Sequence, residues 1–194
     1  LYPFMGFVLY FWASDQNTIQ LLFPMLTGFA LLGPFVAVFL YEVSRRLEKG
    51  LDTSWSTVFS VIKSPAIPAI LMLGLMLVGL FCAWMFTANF LYTLLYGNEY
   101  PISIFEFLWE VISTPRGWIL IILGNGFGFC FALLALCTTA VAFPFILEHE
   151  VSVLCGIKAS IKVVKVNPVP LILWGGMICI GLFLGSIIVL VGLI

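Results

Sequence analysis

Apolar positions along this chain gather into long uncharged runs separated by short polar stretches, and runs of that length predict helices that cross a membrane. From Thr18 to Tyr41 there is no charged residue. About 23 helical residues at 1.5 Å each reach roughly 35 Å, enough for the ~30 Å hydrocarbon layer with some tilt. The run then meets Glu42-Val43-Ser44-Arg45-Arg46, which reads as a helix leaving the bilayer. Leu1 to Ala13 is apolar but short, and reads as the tail of an earlier helix ended by Ser14-Asp15-Gln16-Asn17. Further spans are predicted from about Ile67 to Ala88, extending toward Tyr96, from about Trp118 to Phe143, and from about Val169 onward. The expected fold class is all-α: a polytopic transmembrane helix bundle with about five spans in residues 1–194, a single integral membrane domain expected to be truncated at both ends.

The polar stretches carry patterns of their own. Leu51, Trp55, Val58, Phe59 and Ile62 recur on one helical face, predicting a short amphipathic helix at the headgroup boundary or packed on the loops of its own bundle. Ser103 and Glu106 form a capping-box pair opening another short helix, with Ser103, Glu106, Glu110 and Ser113 as its wet face. Between the fourth and fifth spans, Leu154, Ile157, Ile161 and Val164 form a stripe with Lys158, Lys162 and Lys165 beside it. That helix is predicted to be interfacial, its ammonium groups reaching anionic headgroups, or else to show a solvated charged face. Gly124 with Gly128, and Gly181 with Gly185, are GxxxG candidates for close helix contact.

Feature order repeats along the chain. Pro34-Phe35 precedes the exit at Glu42, and Pro144-Phe145 precedes Glu148-His149-Glu150-Val151-Ser152; each exit leads to an amphipathic stretch, a proline and a new span. This order suggests a parallel repeat of 18–96 and 118–194, related by an axis along the membrane normal.

Composition sharpens the class. The chain is 63% hydrophobic and 9% charged, with a mean hydropathy of +1.21, too little polar residue to coat a water-soluble globule. Its five cysteines include no CxxC pair, which argues against a zinc site or a disulfide framework. Arg45, Arg46, Lys49, Lys63, Lys158, Lys162 and Lys165 fall in the two loops on one side, and Arg116 on the other. By the positive-inside rule both basic loops face the cytoplasm.

Chemistry is sparse. The predicted spans hold no Asp, Glu, Lys, Arg or His, the groups that mark proton relays and coupled ion paths. Their polar residues, Asn89, Asn125, Thr138, Thr139 and Ser186, default to interhelical hydrogen bonds. Glu148-His149-Glu150 is the one cluster with acid–base or metal potential. Consecutive helical residues point in different directions, however, and a single His cannot furnish a ligand set. No HExxH, GxSxG or phosphate loop is present. The candidate functional residues are the cytoplasmic exits, Glu42, Arg45, Arg46, Glu148, His149 and Glu150, with Lys158, Lys162 and Lys165 as candidate headgroup contacts.

Gly33-Pro34-Phe35-Val36-Ala37, Leu40-Tyr41-Glu42-Val43-Ser44-Arg45-Arg46, Glu148-His149-Glu150-Val151, Asn167-Pro168 and Leu173-Trp174-Gly175 resemble a bacterial family of predicted integral membrane proteins, the domain of unknown function numbered 2189. In that family the second exit more often reads Asp-Arg-Glu-Val-Asp, so His149 and Ser152 are departures. The resemblance implies a six-helix inner-membrane protein and no assigned activity. The reading is a non-enzymatic structural, assembly or regulatory component without cofactor, partnered by the bilayer, other membrane proteins or itself, and not by nucleic acid. The alternative is a small-molecule permease or channel with Asn89 and Asn125 near its path. A membrane enzyme with Glu148 and His149 as its candidates ranks third.

Overall fold

In the computed structural model, residues 19–21, 23–25, 37–54, 62–97 and 104–192 are described. Among them every regular element is helical: α1 (Val38–Glu48), α2 (Ile67–Tyr96), α3 (Ile104–Ser113), α4 (Pro115–Thr139), α5 (Ala142–His149), α6 (Val153–Val166) and α7 (Pro168–Gly192), preceded by a short 3-10 turn at Ile19–Leu21. Among the described residues two stretches, Ile67–Tyr96 and Pro115–His149, are long and apolar enough to cross a membrane. The expected tail at Leu1–Ala13 and most of the expected span at Thr18–Tyr41 lie outside the described residues.

Local chemistry sets the helix ends. Gly50, at φ 64°, closes α1: its N–H bonds to Leu47 O and that of Leu51 to Arg46 O, satisfying carbonyls that would otherwise be orphaned. Of the helix expected over Leu51–Ser64, residues 51–54 are irregular, and 55–61 lie outside the described residues. Asp52 explains the irregular start, its carboxylate accepting from the Ser54 N–H and hydroxyl in a local turn that competes with helix. Pro68 sits in the first turn of α2, where its missing N–H is not needed. At the α3–α4 junction the Thr114 hydroxyl donates to Glu110 O and accepts from the Gly117 N–H. A Cβ at residue 117 would collide with the carbonyl of Val111, so the junction requires glycine.

The chain divides into two compact units, with boundaries falling inside α2, α4 and α7. One, the Glu42 unit, takes α1, α2 as far as Leu80, α4 from Leu133, α5, α6 and α7 to Gly175. Its core is Val38, Ala66, Ile70, Leu73, Leu77, Ala135, Ala142, Phe143, Ile146 and Leu147. The other, the Trp84 unit, takes residues 19–21 and 23–25, α2 from Phe81, α3, α4 to Ala132 and α7 from Gly176. There Trp84 Nε1–H donates to Pro24 O at 2.9 Å, and the Trp84 ring meets Phe131 at 5.7 Å. Of the first GxxxG pair, Gly128 abuts the Trp84 ring, whereas a Cβ on Gly124 would meet nothing within 4 Å, nor would one on Gly181. On α3, Phe107 and Val111 turn inward with Glu110 half-buried beside them, so Glu110 is not part of a freely wet face. Phe105, Leu108, Trp109 and Ile112 form an exposed apolar stripe. Outward-facing residues such as Phe86, 74% exposed, fit a solvent of lipid chains rather than water.

The predicted fourth span lies within the apolar stretch Pro115–His149 and is interrupted near its end. Its helix ends at Thr139 and resumes at Ala142, two residues before Pro144, whose ring and missing N–H cannot pair with the Ala140 carbonyl. Val141 N–H turns away from the helix ladder and donates to Ser160 Oγ of α6 at 3.1 Å. Ser160 is wholly buried, and so is Gly156 one turn earlier, where a Cβ would lie 2.6 Å from Ile146 Cδ1. Thus α6 packs on α5 through a small-residue face, Gly156 and Ser160, while Leu154 of the predicted stripe is 67% exposed. Lys158, Lys162 and Lys165 are exposed, away from the packed face.

Removing the Ser160 hydroxyl leaves a half-buried N–H without an acceptor, at about 1–2 kcal/mol. Ser160→Ala is therefore expected to lower the unfolding midpoint in mixed dodecyl sulfate micelles. Gly156→Val should lower it further through collision with Ile146, and Leu154→Ala should leave it unchanged.

Candidate functional site

Helix α1 carries Glu42, Arg45 and Arg46, and Lys49 caps its C-terminal end; offsets of 3, 4 and 7 place all four on one side of the helix end. Glu42 faces the apolar core and is wholly buried. Its carboxylate accepts three hydrogen bonds: Arg45 Nε donates to Oε2 at 2.8 Å, Arg45 Nη2 to Oε1 at 2.9 Å and Arg46 Nε to Oε1 at 2.6 Å. Arg45 thus engages as a two-pronged fork, the geometry that suits guanidinium to carboxylate. Both arginines sit in the last turn, where the helix dipole also favours positive charge. Arg46 Nη1 reaches Asp52 O at 3.3 Å, tying the following loop to the same network.

The network crosses to the second exit. Lys49 Nζ lies 2.7 Å from Glu148 Oε1, and Arg45 Nη1 lies 3.9 Å from Glu148 Oε2. The structure therefore joins α1 to α5 at their charged ends, bringing together Glu42, Arg45, Arg46 and Glu148 from the predicted set. Lys49, which sequence reading used only for orientation, belongs here too, and its place four residues after Arg45 was the signal. His149 and Glu150 do not join at hydrogen-bond range. The His149 ring stacks on Phe145 at 4.4 Å with Nδ1 3.1 Å from Phe145 O. Glu150 closes α5 in the left-handed conformation, at φ 51°. Among the described residues no three His, Cys, Asp or Glu side chains are grouped to hold a metal ion.

Burial pushes the Glu42 carboxyl upward, but the hydrogen bonds and charges of Arg45 and Arg46 outweigh it and hold the group below the usual carboxylate range. Arg45 is held above its ordinary value, first by its hydrogen bond to Glu42. The two ion pairs differ in weight. Glu42 cannot turn to water if its partners leave, whereas Lys49 and Glu148 are 45% and 39% exposed and can.

An apolar exterior around helices long enough to span lipid, with a neutralised charge buried at one end, defines an integral membrane protein. The family model described as predicted integral membrane protein (DUF2189) matches residues 22–148, and the chain belongs to that family. No curated protein and no solved structure matches it. The matched region holds the whole network, Glu42 through Lys49 and Glu148, and ends just before His149.

Breaking a buried pair on one side costs ~3–5 kcal/mol, and the partial exposure of both arginines puts Glu42→Gln toward the lower end. A carboxyl held low in the folded state stabilises above its unfolded-state value, and that stability is lost as pH falls through the folded one. Wild type is therefore expected to lose stability as pH drops through about 4 and below, while Glu42→Gln is weaker at neutral pH and flatter on acidification. Unfolding midpoints between neutral pH and pH 3 check this; Lys49→Ala should move them far less.

Proposed function

We propose that this chain is a non-enzymatic structural, assembly or regulatory component of the bacterial inner membrane, acting through contacts with lipid and with other membrane proteins. The observation that carries the reading is the pairing of Glu42 with Arg45 and Arg46, extended to Glu148 through Lys49. These groups satisfy one another, as ties between helix ends do, and a proton or ion relay would need one of them to exchange partners. On this reading five spans are present and the basic loops face the cytoplasm. Helix α6 lies along that membrane surface, with Lys158, Lys162 and Lys165 toward headgroups. The 105° bend between α6 and the start of α7 supports the last point, because an α7 that follows the membrane normal leaves α6 close to the membrane plane. A permease is the second reading, favoured by Asn125 in the wall of a cavity in the Trp84 unit.

Co-purification from native membranes tests the role: a stoichiometric membrane partner is expected with wild type and should be lost with Glu42→Gln. Saturable solute flux in proteoliposomes would favour the permease instead. For orientation, with the five native cysteines replaced, Ser113→Cys is expected to react with an impermeant thiol reagent applied outside, and Ser54→Cys only after permeabilisation. For the lysine face, changing all three lysines to Gln should reduce the anionic phospholipid retained on purification. Three basic residues at about 1 kcal/mol each make that retention salt-sensitive over a Debye length of roughly 8–10 Å.

A further inference from the structure

Polar side chains along α2 and α4 mostly turn back on their own helix. The hydroxyls of Thr87, Thr93, Thr138 and Thr139 donate to carbonyls one turn earlier, and Asn125 Nδ2 donates to Ile121 O. Asn89 on α2 does not. It is exposed, and among the described residues its carboxamide makes no hydrogen bond. Its depth follows from the packing of α2 on α4, where Gly128 abuts the Trp84 ring and the Arg116 guanidinium lies 6.0 Å from the centre of the Tyr96 ring. Asn89 precedes Tyr96 by two helical turns, which at 1.5 Å per residue sets it roughly 10 Å along α2 from the level of that charge. This is about a third of the way into a ~30 Å hydrocarbon layer. Lipid chains at that depth offer the carboxamide neither donor nor acceptor, so its exposure is unfavourable until another protein surface covers it.

The surface around Asn89 suits a helix. Cys82, Phe86, Asn89 and Thr93 recur at steps of 4, 3 and 4, all of them exposed, within the part of α2 that belongs to the Trp84 unit. That alternation is the seam along which near-parallel helices pack. Cys82 and Ala83 are small and let a second backbone approach, while Phe86, 74% exposed, supplies the contact area.

We infer that this face of α2 binds a second copy of the chain, the two Asn89 carboxamides pairing across a twofold axis along the membrane normal. The group itself selects the partner. A carboxamide holds a donor beside an acceptor, so two identical ones related by a twofold satisfy each other, and the seam carries no charge that would repel its copy. This names one partner for the membrane contacts proposed above; it rests on that reading only for α2 lying in the bilayer, and stands whether or not a different membrane protein co-purifies.

The test uses the whole chain in native membranes and in liposomes. With Cys130, Cys137, Cys155 and Cys179 replaced by Ala, oxidation is expected to link two copies through Cys82. With Cys82 replaced as well, Phe86→Cys and Thr93→Cys should link, and Ile122→Cys, at an exposed position on α4, should not. Energy transfer between labelled copies as protein is diluted with lipid gives the dissociation constant. Asn89→Leu should raise it roughly 5–10-fold, the range of two interhelical hydrogen bonds in lipid, and Asn89→Gln should restore most of the association. Asn89→Leu should also keep the wild-type unfolding midpoint in mixed dodecyl sulfate micelles, which separates lost association from lost folding. Copies that stay monomeric as lipid is withdrawn would overturn the assignment and leave lipid or a different protein against the face. So would association that Asn89→Leu leaves unchanged, linking through Ile122→Cys as strong as through Cys82, or a midpoint that Asn89→Leu lowers, which would put the partner of Asn89 inside its own chain.

Discussion

A carboxylate withdrawn from water keeps its charge only where other groups replace the lost hydration, and in this chain that condition falls on Glu42. It sits at the end of an apolar run, wholly buried, with three guanidinium N–H groups on its two oxygens. The pairing fixes more than one side chain. Arg45 and Arg46 must lie over the carboxylate, which holds the last turns of α1 in register, and Lys49 one turn further is brought within reach of Glu148 on α5. Val38, near the start of α1, and Phe143, Ile146 and Leu147 on α5 share the core beneath these charges. Polar and apolar contacts therefore agree on the same helix pairing, and such consistency across levels marks a specified arrangement.

A second constraint comes from the backbone. Within hydrocarbon each N–H and C=O must find its partner inside the protein, so a helix interrupted by proline needs help from a neighbour. Pro144 forces the interruption at Ala140–Val141, and Ser160 on α6 takes the freed Val141 N–H. That bond requires α6 to approach α5 closely, which the missing side chain of Gly156 permits against Ile146. Proline, serine and glycine on three different stretches form one device. Without the approach the break would expose an unpaired donor.

Much of this was legible in one dimension. Membrane class, the all-α fold and the helices at Ile67–Tyr96 and around Trp118–Phe143 follow from uncharged run length and from where charge returns, because a lipid solvent leaves so few alternatives. Even the Glu42–Arg45–Arg46 pairing was within reach, since offsets of three and four place side chains side by side on any helix. What the sequence could not contain was which helices are neighbours. That Lys49 meets Glu148 a hundred residues away, that Ser160 is a buried acceptor rather than a surface position, that Glu110 is half-covered, and that Gln20 borders a cavity all depend on contacts between distant segments. Helical periodicity states which face a residue occupies. Only the packed structure states what that face meets, because packing partners are chosen by the shape and polarity of whole helix surfaces, and a linear pattern carries no record of distance between them.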